Sequence, residues 1–181
     1  MRDMTVGNLR SAFGGESMAH MRYKVWADRA EAEGFPNVSR LFKAVSAAEQ
    51  AHASGHFNVM SKVGGGSPVT AMAGFGVGST AQNLAGAIEG ELFEVNEMYP
   101  AFIQVAQAQG ETQALRSFNW AMAAEKIHAT MYQKAQESVQ TGKDVQMGLI
   151  NVCMVCGHTV EGDAPDKCPV CNALKKKYVS F

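Results

Sequence analysis

Two Glu-x-x-His segments in the first 130 residues could bind metal, at Glu49–His52 and at Glu125–His128. On a helix, residues three apart lie on one face, so each carboxylate projects beside its imidazole. Carboxylate oxygens can bridge two metal ions, and each imidazole can hold one of them. One such segment is a weak signal, because surface helices carry many glutamates. Two segments, each following an Ala-Ala pair, indicate a buried stripe on which charges are costly unless they are paired or bind metal.

The two segments belong to an internal repeat. An offset of 76 residues aligns His52 with His128, and it also aligns Gly34 with Gly110, Arg40 with Arg116, and Phe42 with Phe118. Upstream the offset is 75, which aligns Gly15-Glu16 with Gly90-Glu91. We expect this one-residue slip to fall in a loop. The repeat predicts a duplicated helical hairpin and adds the matched carboxylates Glu16 and Glu91. Two Glu-x-x-His helices with one glutamate from each remaining helix form the ligand set of ferritin-like dinuclear metal proteins.

The repeat symmetry breaks at Glu94, which aligns with Ala19 of the first hairpin. A further carboxylate on one side only would make the two metal positions inequivalent. Alternatively, Glu94 is simply an exposed helix residue. The residues alone leave both interpretations open.

The four cysteines form two Cys-x-x-Cys knuckles, which consist of Cys153 with Cys156 and Cys168 with Cys171. Two such loops supply the four thiolates of one tetrahedral ion. The metal stays open at this point, because zinc ribbons and iron-binding rubredoxins share the knuckle. Gly157 and Asn172 follow the second cysteine of each knuckle, and both tolerate left-handed backbone. We interpret His158 as an ordinary loop residue, because four thiolates already fill the site.

Helical composition and turn signals define the elements that must position these groups. The sequence predicts helices over residues 8–33, 37–62, 82–108 and 111–141, with stop signals at glycine and proline positions between them. The first and third connections are short, whereas residues 63–80 form a long glycine-rich crossover, which is the ferritin-like arrangement. Pro100 lies inside the third helix and should kink it. We therefore predict an all-α ferritin-like four-helix bundle in residues 1–146 and a small four-cysteine metal domain in residues 147–181.

Composition excludes several classes of protein. The chain has 181 residues, 46% of them apolar, and a net charge of −1, so no basic surface indicates nucleic acid as a partner. No apolar run approaches the roughly 20 residues that cross a bilayer. The N-terminus shows no hydrophobic signal core. Clustered cysteines in such a chain favour metal over disulfides, and we expect a reduced, cytoplasmic protein.

Several longer motifs resemble those of the rubrerythrins over nearly the whole chain. Residues 15–23 (Gly-Glu-Ser-Met-Ala-His-Met-Arg-Tyr) resemble the first-helix motif of that family, and residues 88–100 resemble its third-helix motif. The segment 124–128 and the cysteine knuckles complete the likeness. The resemblance implies two non-haem irons in the bundle and one rubredoxin-type iron on the four cysteines.

The resemblance also implies individual roles. Glu49 and Glu125 would bridge the two irons, and Glu91 and His128 would bind the second iron. Glu16 would bind the first iron, with Glu94 and His52 exchanging as its ligand when the redox state changes. Tyr23 and Tyr99 would hydrogen-bond the carboxylates, which steadies metal ligands. His158 stands where the family often has tyrosine.

The activity implied by the resemblance is reduction of hydrogen peroxide to water, with electrons passed from reduced nicotinamide through a reductase or a rubredoxin. Because a tail at one end of a long bundle would lie far from its own site, we expect at least a head-to-tail homodimer. The long crossover leaves open whether hairpins are exchanged between chains. Three alternatives remain: a ferritin-like ferroxidase, an oxygen-reducing oxidase, and a non-enzymatic binding protein with a zinc-ribbon tail.

Overall fold

The computed structural model describes all 181 residues and begins with four long helical segments, the third of which is divided into two helices by a π-helical turn. The helices are α1 (Asp3–Ala32), α2 (Pro36–Val59), α3 (Thr80–Phe93), α4 (Tyr99–Ala108) and α5 (Thr112–Gln140), with a π-helical turn at Glu94–Met98 between α3 and α4. Helix α1 packs on α2, and α3 and α4 pack on α5, so the two predicted hairpins are confirmed within one chain. Helix α1 begins five residues earlier than predicted. None of the helices combines the length and apolarity that a membrane span requires.

The predicted third helix contains one extra residue, which the π-helical turn accommodates. The amide of Tyr99 donates to the carbonyl of Glu94, five residues back, whereas an α-helix bonds four residues back. Pro100 follows at once and has no amide hydrogen to donate. The repeat offset changes from 75 at Glu94 to 76 at Tyr99, which aligns with Tyr23. The expectation that the slip falls in a loop is therefore wrong: it falls inside the helix.

The long crossover, residues 60–79, lies along helix α1. The hydroxyl of Ser11 donates to the carbonyl of Thr70 at 2.8 Å, and the indole nitrogen of Trp26 donates to the carbonyl of Gly76 at 2.9 Å. A capping box at Ser79 then starts α3, because its hydroxyl accepts from the amide of Gln82 while the Gln82 side chain accepts from the amide of Ser79. These bonds fix the connection between the hairpins.

Two apolar clusters fill the bundle, one on each side of a buried polar layer. The larger cluster surrounds Tyr23, Phe42 and Tyr132, and the smaller surrounds Tyr99 and Phe118. Between them lie six ionisable side chains, all at most 3% exposed: Glu16, Glu49, His52, Glu91, Glu125 and His128. Close packing on both sides leaves these groups to satisfy one another or to bind an ion.

The C-terminal residues form a small antiparallel sheet that packs against the bundle. Its strands are β1 (Ile150–Cys153), β2 (Thr159–Glu161) and β3 (Tyr178–Ser180), in the order β2-β1-β3. Ile150 and Val152 of β1 are fully buried in the larger bundle cluster. In the segment before the sheet, Asp144 accepts from the amides of Asn37 and Val38 at 2.8 and 3.3 Å, which caps the start of α2. The division predicted after residue 146 falls in this segment.

Candidate metal centre

The six buried ionisable side chains form two groups of convergent ligand atoms, each spanning at most 4.8 Å. Glu49 and Glu125 belong to both groups. The first group adds Glu16 and His52, and the second adds Glu91 and His128. The structure thus brings together the matched carboxylates and both Glu-x-x-His segments that the repeat identifies.

Each shared carboxylate presents one oxygen to each histidine. Glu125 places Oε1 2.7 Å from Nδ1 of His52 and Oε2 2.7 Å from Nδ1 of His128. Glu49 places Oε2 2.8 Å from Nδ1 of His52 and Oε1 3.6 Å from Nδ1 of His128. The two imidazole rings lie 6.0 Å apart between centroids. This geometry is suited to two ions that share two bridging carboxylates.

The hydrogen-bond partner of Nε2 in each histidine determines which ring nitrogen is free to bind metal. Nε2 of His52 lies 3.2 Å from the carbonyl oxygen of Cys156, which can only accept, so Nε2 carries a hydrogen. Nε2 of His128 lies 2.9 Å from the hydroxyl of Thr159, whose own hydrogen is donated to the carbonyl of Gly157 at 2.9 Å. A neutral ring, which is the form that binds metal, therefore has its lone pair on Nδ1, directed at the carboxylates.

Three buried carboxylate oxygens have no hydrogen-bond partner, namely Glu16 Oε2, Glu49 Oε1 and Glu91 Oε2, and Glu125 Oε1 competes with Glu49 for the single Nδ1 of His52. Unpartnered buried acceptors are costly, and native structures keep few of them. Hard oxygen ligands with imidazole nitrogens are a donor set for iron, manganese or zinc. The residues therefore fit a pair of divalent ions.

The protonation of the metal-free cluster reflects this crowding. Burial, with the charges of Glu49 and Glu125, raises the pKa of Glu91 to about 8. Burial opposes the charged form of His128, but hydrogen bonds to Glu125 and Glu91 outweigh it and raise its pKa to about 10. Protons in the metal-free cluster thus stand where the ions would bring positive charge.

Two tyrosines hold the outer carboxylates. Tyr23 donates to Oε1 of Glu91 at 2.6 Å, and Tyr99 donates to Oε1 of Glu16. Both phenols are at most 1% exposed, and burial with nearby carboxylate charge raises the pKa of each. They therefore remain protonated donors at neutral pH.

Glu94 lies beside the cluster but contributes to neither group of ligand atoms. Burial, followed by the charges of Glu16 and Glu125, raises its pKa. It also lines a cleft between α1, the π-helical turn and the crossover, together with Gly15, Glu97 and Met72. In this arrangement His52 occupies the ligand position, and Glu94 lies between the cluster and the cleft.

The four cysteines converge in the C-terminal sheet. Their sulfurs lie within 4.8 Å of one another, with Cys153 and Cys171 at 3.7 Å and Cys156 and Cys168 at 3.6 Å. None forms a disulfide. Gly157 and Asn172 have φ angles of 76° and 61°, which confirms the left-handed backbone expected after each knuckle. The arrangement is that of a tetrahedral four-thiolate site.

His158 is not the ordinary loop residue expected from the sequence. It is 8% exposed, and its Nδ1 lies 2.8 Å from the hydroxyl of Tyr178, which packs against the cysteines. Burial lowers its pKa. The pair forms one wall of the four-thiolate site.

The four-cysteine site lies against the dinuclear cluster of its own chain, through the contacts of Cys156 and Thr159 with His52 and His128. An ideal Cβ on Gly157 would lie 1.9 Å from Nε2 of His52, so only glycine allows this approach. The expectation that the tail lies far from its own cluster is therefore wrong. The strands share a core with α2, which holds the knuckle at the polar layer.

Sequence reasoning missed three residues around the cluster: His56 contacts Tyr99, Ser117 contacts His56, and Thr159 contacts His128. His56 lies four residues after His52 on the same helix face, so helical periodicity could have identified it. Thr159 carries no such signal, because its contact depends on how the sheet packs on the bundle.

Comparison with known proteins agrees with this geometry. The family model for rubrerythrin matches residues 7–136, and the model for the rubredoxin-like domain of rubrerythrin matches residues 152–179. The chain is 46% identical to rubrerythrin-2 of Clostridium acetobutylicum, over 98% of this chain and 97% of that protein. The structure of fully reduced, all-ferrous nigerythrin is 32% identical with a TM-score of 0.85, covering 98% of this chain and 86% of that one. A bacterioferritin of Mycobacterium tuberculosis, 14% identical with a TM-score of 0.69 over 79% of this chain and 90% of that one, shares the fold.

Proposed function

The chain belongs to the rubrerythrin family, and on this premise we propose that it is a non-haem di-iron peroxidase that reduces hydrogen peroxide to water. Its cofactors are two iron ions in the bundle and one iron on the four cysteines, as in the family. When bound, the bundle irons would supply the electrons that break the peroxide oxygen–oxygen bond. The surrounding residues hold the ions, admit the substrate and connect the two centres.

The ligand assignment follows the positions of the oxygens and nitrogens. Glu49 and Glu125 would bridge the ions, because each reaches both histidines. Glu16 and His52 would bind the first ion, while Glu91 and His128 would bind the second. The third ion would be held by Cys153, Cys156, Cys168 and Cys171. Tyr23 and Tyr99 fix the outer carboxylates through their hydrogen bonds.

Glu94 is assigned the role of exchanging with His52 at the first ion. Glu94 lies near enough to Glu16 for their charges to interact. A negative ligand suits the more positive ion, whereas neutral His52 suits the reduced ion. The cleft that Glu94 lines would serve as the route for peroxide, because it places Glu94 on its wall. Exchange of the two side chains would keep the charge of the site matched to its oxidation state.

The observation that carries this proposal is the hydrogen bond between Nε2 of His52 and the carbonyl of Cys156, 3.2 Å apart. It joins a ligand of the four-thiolate site to a ligand of the dinuclear site. A direct connection of this kind suits electron delivery, which a peroxidase needs. An iron-storage ferroxidase requires a many-subunit shell and gains nothing from a four-thiolate donor.

Four further features belong to the proposal. An electron-donating reductase or a rubredoxin, drawing on reduced nicotinamide, would re-reduce the four-cysteine iron. The two units are residues 1–146 and 147–181. The homodimer or higher homo-oligomer and the cytoplasmic location stay predictions. A head-to-tail arrangement was expected because the tail would lie far from its own cluster. That reason no longer applies, since the tail contacts the cluster of the same chain.

The test is to count iron and zinc per chain in protein purified without added metal, and to mix the reduced form with hydrogen peroxide. We expect about three irons per chain, since the ligand sets number two in the bundle and one on the cysteines. Peroxide should restore the visible colour of the oxidised four-cysteine iron rapidly, and reductant should bleach it again. A colourless protein with one zinc per chain and no response would refute the peroxidase. A response to oxygen as fast as to peroxide would instead support the oxidase, and a large cage on light scattering would support storage.

A further inference from the structure

One face of the dinuclear cluster continues into a chain of hydrogen bonds that leads away from the metal ligands. Beyond Glu16 and Tyr99, the hydroxyl of Tyr99 lies 3.0 Å from Nε2 of His56. Nδ1 of His56 lies 2.8 Å from the hydroxyl of Ser117. Ser117, at 8% exposure, is the most exposed of these three residues, since Tyr99 and His56 are fully buried. The chain therefore runs from the cluster towards the surface of helix α5.

The direction of each hydrogen in this chain is determined by its neighbours. The only hydrogen of the Tyr99 hydroxyl is donated to the carboxylate of Glu16, so the phenol oxygen must accept from Nε2 of His56. His56 is fully buried, and burial disfavours a charged imidazolium, so the ring is neutral. A neutral ring with a hydrogen on Nε2 has its lone pair on Nδ1, which accepts from the Ser117 hydroxyl. Every hydrogen points towards Glu16.

The other half of the repeat lacks such a chain. Tyr23 is the counterpart of Tyr99, and it donates to Glu91. The counterpart of His56 is Tyr132, whose buried hydroxyl has no hydrogen-bond partner, and the counterpart of Ser117 is the apolar Leu41. Only the Glu16 side of the cluster therefore has a continuous chain of hydrogen bonds beyond its tyrosine. Glu94 and the cleft lie on the same side.

We propose that Ser117, His56 and Tyr99 form a proton relay that delivers protons to the cluster at Glu16. The proposal rests on the proposed peroxidase function, because reduction of one peroxide to two waters breaks one oxygen–oxygen bond and consumes two electrons and two protons. The two electrons would come from the two bundle irons, which the four-cysteine iron would re-reduce one electron at a time. Each proton enters at the Ser117 hydroxyl from water, while the hydrogen of Ser117 moves to Nδ1 of His56.

The remaining transfers follow in the same direction. The hydrogen on Nε2 of His56 moves to the Tyr99 oxygen, and the hydrogen of Tyr99 moves to Glu16, from which it passes to the peroxide oxygen. His56 changes tautomer and not charge, so the relay needs no buried imidazolium. Reorientation of the three groups resets the chain for the second proton. Hydrogen bonds in such a chain polarise one another, which favours concerted transfer.

The experiment uses Ser117→Ala and His56→Phe in the full-length, iron-loaded protein. For both variants we expect unchanged iron per chain. The peroxide reaction of His56→Phe should be slower by about 100-fold, at the low end of general acid–base contributions. The solvent deuterium isotope effect on that reaction should be larger in Ser117→Ala than in the parent protein. Tyr132→Phe is the matched control, because Tyr132 is the repeat counterpart of His56 and the substitution removes a buried hydroxyl that has no hydrogen-bond partner. It should leave the rate unchanged.

A measurement on the metal-free protein tests the chain independently of peroxide chemistry. Nitrogen-15 NMR should show His56 as the neutral tautomer with hydrogen on Nε2, and the opposite tautomer would reverse the chain and overturn the relay. Should His56→Phe lose iron, Ser117→Ala decides, and full rate with an unchanged isotope effect would overturn the relay. A parent protein that binds three irons but ignores peroxide would instead refute the proposed function, while leaving the NMR result to stand on its own.

Discussion

The carbonyl oxygen of Cys156 lies 3.2 Å from Nε2 of His52, so one hydrogen bond connects the four-cysteine site to the dinuclear cluster of the same chain. The approach is possible because Gly157, which has no side chain, follows Cys156 and takes the left-handed conformation with φ of 76°. Gly157, whose left-handed conformation the cysteine knuckle requires, thus also determines how closely the two metal sites approach. The coupling of the centres should depend on this one glycine.

Gly157→Ala is expected to displace the C-terminal sheet from His52. The new Cβ would lie 1.9 Å from Nε2, which neither backbone nor ring can accommodate without moving. We predict that peroxide will still oxidise the bundle irons, whereas oxidation of the four-cysteine iron will lag well behind. Stopped-flow absorbance of the four-cysteine colour measures this delay directly.

Gly162→Ala is the matched control for that substitution. Gly162 also has a left-handed φ, 87°, but nothing lies within 4 Å of its Cβ position. Both variants pay roughly 1–2 kcal/mol for a non-glycine residue in this conformation, so only Gly157→Ala adds the clash. Equal electron-transfer rates in the two variants would show that contact with His52 is not the route.

The second prediction concerns Thr159, whose hydroxyl accepts from Nε2 of His128 at 2.9 Å. Thr159→Val keeps the side-chain shape but leaves that buried N–H without an acceptor. Loss of such an outer partner typically lowers metal affinity by about 10–100-fold. We therefore expect weaker binding of one of the two bundle ions, measured by metal titration, and recovery in Thr159→Ser.

Thr130→Val provides the comparison, because the Thr130 hydroxyl bonds only to the carbonyl of Lys126 on the exposed face of α5. It should titrate like the parent protein. Unchanged affinity in Thr159→Val would mean that the carboxylates alone orient His128.

The sequence allowed prediction of the cluster of buried carboxylates and histidines because its members obey two regularities at once, helical spacing and an internal repeat. The sequence also contained a signal for the π-helical turn, which the sequence analysis attributed to a loop. The change of offset between Glu94 and Tyr99 marks a one-residue insertion, and the register on both sides shows that the helix continues through it. Such insertions commonly form π-helical turns at functional sites. Helical propensity alone could not have located the turn.

The placement of the C-terminal sheet could not be predicted from local patterns. Strand β1 reads as a short apolar strand, and nothing in Ile150 or Val152 specifies that it packs on α2. Packing between units depends on the shape of both surfaces and on the intervening segment, where Asp144 caps α2. The contacts of Thr159 and Cys156 with the histidines follow from that packing and were therefore missed.

The third prediction concerns the stability of the metal-free protein. The pKa of Glu91 is raised from 4.5 to about 8, and that of His128 from 6.5 to about 10. Both groups bind protons more tightly when folded, so their stabilising contributions are complete at low pH and are lost as the pH rises through the folded values. The free energy of unfolding of metal-free protein should therefore fall between pH 6.5 and 10, because His128 loses its contribution across this interval and Glu91 loses its own up to about pH 8.

Metal should reverse this trend, because binding displaces the protons on His128 and Glu91 and becomes more favourable as they are removed. The stabilisation by added divalent metal, measured as the shift in thermal midpoint, should increase from pH 6.5 to pH 9. A metal-free protein that gains stability over the same range would contradict the protonated cluster.

The last prediction concerns Glu94, which has no counterpart in the first half of the repeat, where Ala19 stands. Glu94 contributes to neither ligand group, so Glu94→Ala should retain both bundle ions. If Glu94 replaces His52 when the ions are oxidised, its removal should stabilise the reduced state and raise the reduction potential of the dinuclear site. Peroxide turnover should fall, while the four-cysteine potential stays unchanged.

Glu97→Ala separates this role from the general charge of the cleft. Glu97 lines the same cleft but is exposed and three residues further along the π-helical turn. Glu97→Ala should change the reduction potential and the peroxide turnover by no more than the loss of one screened surface charge would. Full turnover and an unchanged potential in Glu94→Ala, at normal iron content, would assign Glu94 to the cleft wall and leave His52 as the permanent ligand of the first ion.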